Sequence, residues 1–176
     1  MNMACCANNG ACMKNGIKTS FLLVAISLAS MADAQQVSVW KAADLKTALD
    51  TATVPTIFNF WATFCRPCIA ELPHFQAAAD QYKSRGVRLV MVSLDVKEAF
   101  PKTVRAFVKK RGLTSPVVFL DEPSADIFVP LVDSTWSGAI PASLFIYRER
   151  GYRRFFDDEL SRLKLDREIR NMLGED

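Results

Sequence analysis

A single histidine, His74, stands in a chain of 176 residues, which excludes a metal centre built from several imidazoles. Charge is not concentrated either. The net charge is +3 and no long basic run gathers it, so nucleic acid is not an expected partner. No internal repeat and no low-complexity tract is present, which argues against repeat architectures and linkers. Cysteine is sparse after the first dozen residues: Cys5, Cys6 and Cys12 lie at the start, and only Cys65 and Cys68 follow. A small fold stapled by many disulfides is therefore excluded. Half of the residues are hydrophobic and 10% are aromatic, enough for one globular domain with a true core.

The first 34 residues read as a targeting segment. From Met13 the text is "MKNGIKTSFLLVAISLASMADAQQ". Lys14 and Lys18 supply a positive start, and Thr19 to Ala32 is a 14-residue uncharged stretch. That is short of the roughly 20 residues of a membrane span. Ala32-Asp33-Ala34 matches the small-x-small rule for signal peptidase, so cleavage is expected after Ala34. The rival is an uncleaved membrane anchor. Translation starts at Met1 or Met13; on either start, cleavage removes Cys5, Cys6 and Cys12. A mature domain of residues 35–176 then keeps one close cysteine pair in an exported chain, the expected location being periplasmic or otherwise extracytoplasmic.

The rest alternates strand and helix signals. Val37 to Trp40 is a short strand, and Ala42 to Leu49 has helical spacing. "VPTIFNFWA" (Val54 to Ala62) is a continuous apolar run, as in a strand buried on both faces. A helix runs from the cysteines to about Arg85, where Gly86 stops it. Val87 to Leu94 and Val117 to Leu120 are further strands, with a helix over Phe100 to Arg111 between them. Ala142 to Tyr147 and Arg153 to Phe156 form a closing hairpin, and Asp166 to Leu173 is a last helix. The expectation is an α/β sandwich, one sheet with helices on both faces.

"FWATFCRPC" (Phe60 to Cys68) therefore lies at a turn from a central strand into a helix. Free N–H groups and the positive end of the helix dipole stabilise a thiolate there. Cys65 is so placed as a low-pKa nucleophile, and Cys68, one turn later, can close a disulfide onto it. Pro67 sits where its missing N–H costs little, and Arg66 adds a positive charge. The other readings are an inert bridge or a zinc half-site. Zinc needs about four ligands, and only Cys65, Cys68 and His74 are offered. A redox centre is the expected use.

"NFWATFCRPCIAELP" followed by "GAIPASLFI" resembles the thioredoxin superfamily, and within it the exported TlpA/ResA-like thiol–disulfide oxidoreductases. The resemblance is strongest over Asn59 to Phe75 and Trp136 to Ile146. It implies a thioredoxin-like sandwich with a central mixed β-sheet. Cys65 and Pro141 are 76 positions apart, more than a minimal fold of this kind uses, which implies an inserted α/β segment within Phe100 to Leu120. Phe64 stands where the family often has tryptophan, and the Arg66-Pro67 pair leaves the redox potential open.

The resemblance also implies roles. Pro141 aligns with a cis-proline facing the cysteines, and Ile140 before it would pair its backbone with a substrate chain. Phe64, Arg66, Pro67 and Trp61 join the expected substrate-binding surface, with Trp136 either beside it or in the core. Glu71, three residues past Cys68, shares its side of the helix. As a partly desolvated base it would take the proton of Cys68; as a solvated helix residue it would do nothing of the kind. Asn59 stands where cytosolic thioredoxins carry a buried acid, which strengthens the expectation for Glu71. The implied activity is protein-disulfide exchange, in the reducing direction. No metal, flavin or nucleotide is implied. The expected partners are exported protein thiols and disulfides and a membrane thiol electron donor, with the protein itself a monomer. Two rivals stand: a peroxiredoxin-like peroxidase, for which Thr63 is present but no proline precedes it in the loop, and a copper carrier, which would use a wider cysteine spacing and a distal histidine.

Overall fold

The computed structural model describes residues 37–175; the expected targeting segment, its expected cleavage point and Cys5, Cys6 and Cys12 lie outside the described residues. The strands are β1 (Ser38–Trp40), β2 (Thr56–Trp61), β3 (Arg88–Ser93), β4 (Val117–Leu120), β5 (Ala142–Tyr147) and β6 (Tyr152–Phe156). The helices are α1 (Ala42–Asp50), α2 (Arg66–Tyr82), α3 (Lys102–Arg111), α4 (Ala125–Val132) and α5 (Arg162–Leu173). The strands form one mixed sheet in the order β1-β4-β3-β2-β5-β6. β1, β4, β3 and β2 are parallel neighbours, while β2–β5 and β5–β6 are antiparallel.

All six residues of β2 are buried, as a central strand covered on both faces requires. Its alternation divides the core. Ile57 and Trp61 pack with Leu72 and Phe75 of α2, Val104 and Val108 of α3, and Ile169 of α5. Phe58 and Phe60 pack with Leu45 and Leu49 of α1 and Phe128 and Val132 of α4. Each such fully buried side chain contributes about 1.5–3 kcal/mol. The Phe100 to Leu120 segment, expected as the insertion, supplies α3 and β4, and β4 takes the place between β1 and β3.

Three element assignments change. α4 was not expected from "ADIFVPLV", an apolar run with Pro130 inside it; the Ser124 hydroxyl accepts from the Asp126 N–H and starts the helix. α5 begins at Arg162, four residues before the expected start, because the Ser161 side chain caps it by accepting from the Lys164 N–H. α3 begins at Lys102, since a residue before proline is disfavoured in the helical region and Phe100 precedes Pro101. Gly86, at φ 79°, ends the turn that follows α2.

Candidate active site

β2 delivers the chain to the site and β5 leaves from the same end. Their antiparallel register pairs Phe60 with Ala142, so the segment just after β2 faces the segment just before β5. The first carries Cys65 and the second carries Ile140 and Pro141, joined by a cis peptide bond. Cys65 Sγ lies 3.8 Å from the Ile140 carbonyl oxygen.

Cys65 is the N-cap of α2 and forms a disulfide with Cys68. The Cys68 backbone N–H donates to Cys65 Sγ at 3.3 Å. In the reduced state the same donor and the helix end favour a Cys65 thiolate. Cys65 keeps 7% of its surface and Cys68 none. Both sulfurs are therefore largely covered, and Cys65 is the one that retains a contact with solvent. Pro67 and Arg66 are exposed at the helix start, and Phe64 is 69% exposed beside them. Ile140 is half-buried and Pro141 buried. Trp61 requires a correction: it is wholly buried and packs on Phe107 with ring centroids 5.2 Å apart, so it supports the site from within the core and offers nothing to a substrate. Trp136 is also core, against Phe60 at 4.9 Å, yet its Nε1–H donates to the Ala139 carbonyl at 2.8 Å and so tethers the Ile140–Pro141 loop. His74 is exposed on α2. No cluster of potential metal ligands occurs among the described residues.

Glu71 is fully buried, which removes the reading of a solvated helix glutamate. Asn59 Nδ2–H donates to Oε1 at 2.8 Å and the Leu160 backbone N–H donates to Oε2 at 2.9 Å. Burial pushes the carboxyl up to about 7; the bonds from Leu160 and Asn59 pull the other way, and the negative charges of Glu159 and Asp158 add to the rise. A carboxyl balanced near neutrality, three residues beyond Cys68, can accept and return a proton at ordinary pH.

Sequence reasoning missed Asp95. This buried carboxylate accepts from the Thr63 backbone N–H at 3.1 Å, from the Thr63 hydroxyl and from the Ser93 hydroxyl at 2.8 Å. It clamps the loop between β2 and Cys65 and engages Thr63, the residue a peroxidase would need. Asp95 stands after the apolar β3, a weak signal for a clamp across to another loop. Leu160 was missed for another reason: it contributes a backbone N–H, which no side-chain pattern reveals.

Residues 29–150 match the model of the AhpC/TSA family. Two curated relatives are the thiol-disulfide oxidoreductase ResA of Oceanobacillus iheyensis, 46% identical over 61 residues, and the sporulation thiol-disulfide oxidoreductase A of Bacillus subtilis, 43% identical over 63. These matches cover 35% and 36% of the chain and span 30% and 38% of those relatives. Among solved structures, a thioredoxin-family thiol:disulfide interchange protein of Chlorobium tepidum TLS superposes with a TM-score of 0.58 at 25% identity, covering 72% of this chain and 85% of that one. StoA of Bacillus subtilis superposes with a TM-score of 0.51 at 26% identity, covering 66% and 83%. The chain belongs to the AhpC/TSA family and has the thioredoxin-like fold.

Proposed function

We propose that this protein is an extracytoplasmic thiol–disulfide oxidoreductase that reduces disulfides in other exported proteins. The observation that carries the reading is the Cys65–Cys68 disulfide at the N-terminus of α2, with Cys65 Sγ 3.8 Å from the carbonyl of Ile140 in the cis Ile140–Pro141 loop. Relatives named thiol-disulfide oxidoreductases support it.

In the proposed cycle the Cys65 thiolate attacks one sulfur of a substrate disulfide. A mixed disulfide forms and the other substrate sulfur leaves as a thiolate. Cys68 gives its proton to Glu71 and attacks Cys65 Sγ. The Cys65–Cys68 bond forms, the second substrate sulfur leaves, and two electrons have passed to the substrate. The dithiol carries both electrons, so the cycle uses no metal, flavin or nucleotide. A buried base three residues beyond Cys68 speeds the step that frees reduced substrate and, equally, its reverse, so the reducing direction comes from the electrons the thiol donor supplies. Phe64, Arg66 and Pro67 border Cys65 at the surface, and the Ile140 backbone aligns the substrate chain by main-chain hydrogen bonding. A membrane thiol carrier re-reduces the pair, and the protein works as a monomer. Export relies on cleavage after Ala34; no helix among the described residues is long and apolar enough to cross a membrane.

Reduced protein tested on insulin disulfides should reduce them stoichiometrically, and Cys65→Ser should abolish this. Cys68→Ala should stop at the mixed disulfide. Consumption of hydrogen peroxide in place of insulin reduction would sink the reading and revive the peroxidase.

A further inference from the structure

Both carboxylate oxygens of Glu71 meet N–H donors, one from Asn59 and one from Leu160. A carboxylate only accepts hydrogen bonds, so two donors suit it. A carboxylic acid keeps fewer and weaker acceptor sites once its proton sits on one of those oxygens, so both donors bind the charged form more strongly. The cluster is thus shaped for the charged form although burial opposes charge. Asn59 commits its amide nitrogen to this arrangement. Nδ2 donates to Glu71 and to Ser143 Oγ at 3.1 Å, and Oδ1 is left buried with no hydrogen-bond partner. Turning the amide would set Oδ1 against an acceptor-only carboxylate and strand the N–H groups in its place. The orphaned oxygen is the lesser cost while Glu71 is ionised.

We propose that Asn59 is a positioning residue that holds the Glu71 carboxyl in its ionised, proton-accepting form and thereby sets the pH at which Cys68 resolves a mixed disulfide. The link to resolution rests on the thiol–disulfide exchange proposed above; the hold on Glu71 does not. An amide at this position is more than the absence of an acid: an acid there would be a second carboxylate against the first. The charges acting on Glu71 come from Glu159 and Asp158, in the loop before α5. Cys68 lies three residues earlier on its own helix, and the donor from β2, Asn59, is neutral, as is Ser143 of β5 to which it also bonds. The acids of α5 are engaged elsewhere, Asp166 by Tyr82 and Glu168 by Tyr152.

The test follows the Glu71 carboxyl carbon by NMR across pH in the oxidised protein, with the signal assigned by its loss in Glu71→Gln. Asn59→Leu keeps the volume and removes the donor. Its titration midpoint should rise by about one pH unit above that of the wild type. At pH 7 the resolving rate should then fall about fivefold, recovering as pH rises. In the Glu71→Gln background, Asn59→Leu should leave the pH profile of resolution unchanged. Asn59→Asp, of the same shape, is the second variant should Leu fail to fold. The two facing carboxyls should titrate in two steps, the upper above the wild-type midpoint. An unchanged midpoint in a folded variant overturns the proposal. So does equal slowing with and without Glu71, which assigns Asn59 to packing alone. Absence of insulin reduction would instead defeat the exchange reading, and the carboxyl titration would still decide whether Asn59 holds the charge.

Discussion

Replacing Glu71 with glutamine should change how stability depends on pH, and the size follows from the site. The carboxyl ordinarily titrates at 4.5 and is pushed by burial to about 7. Below 4.5 it is protonated in both the folded and the unfolded chain and contributes no pH dependence. Between 4.5 and 7 the folded state holds a proton that the unfolded state has released, so stability falls as pH rises. Above 7 the loss is complete. A separation of about 2.5 pH units is worth about 3.5 kcal/mol at ~1.4 kcal/mol per unit. Glu71 is fully buried, so solvent screening does not reduce that figure. The substituted glutamine has no proton to lose, and the variant should lack this component. Urea unfolding of oxidised wild type and Glu71→Gln from pH 4 to pH 8, with the disulfide intact, isolates it, because the other titrating groups cancel in the difference. Wild-type stability relative to the variant should decline by about 3.5 kcal/mol across the window. Parallel curves would refute the reasoning, since a carboxyl with its ordinary affinity would have to be solvated or fully compensated by its donors.

The same structure makes other expectations. In reduced protein, iodoacetamide should alkylate Cys65 before Cys68, with a midpoint below ~8.5, because only Cys65 has exposed surface and the helix end; equal rates would contradict this. Asp95→Ala should lower stability by about 2–4 kcal/mol in urea unfolding, because the Thr63 N–H and two hydroxyls lose a charged acceptor, and Asp95→Asn should lose less. Phe64→Ser should leave stability within ~0.5 kcal/mol, since the ring is exposed, while KM for insulin rises and reaction with a small aromatic disulfide stays the same. A matching loss with both substrates would remove Phe64 from the protein-binding surface.

What could be read from the sequence divides by the kind of signal. β2 was legible because burial on both faces requires a continuous apolar run, and "TIFNFW" is one. The cysteine pair was legible because the strand before it and the helix after it fixed its place at a helix N-terminus. Glu71 was legible as a direction, since its spacing from Cys68 sets the helix face. Its burial was not, because that depends on what α5 and its preceding loop bring to the face. α4 was hidden by composition: eight apolar-rich residues with a proline carry no helical punctuation except Ser124. Trp61 misled because an aromatic beside a cysteine pair reads equally as wall or as core, and α3 decides the matter by covering it with Phe107.

Glu71 and Asn59 show why the remainder of the site is not written in the sequence. Each is visible there singly, one as an acid on the right face and one as an amide where an acid was expected. Their bond joins residues 12 positions apart, across a strand and a helix, and the second donor, Leu160, is 89 positions from Glu71. Neither separation has a periodicity that one chain can display, and the Leu160 donor is backbone, identical in every residue but proline. The proton affinity of Glu71 is the balance of burial, which raises it, against these two donors, which lower it. A sequence names the acid, while the packing of β2, α2 and the loop before α5 sets the balance. The pH at which Glu71 takes up a proton is therefore a property of the assembled fold, and a substitution at 59, or proline at 160, should move it with both cysteines and Glu71 intact.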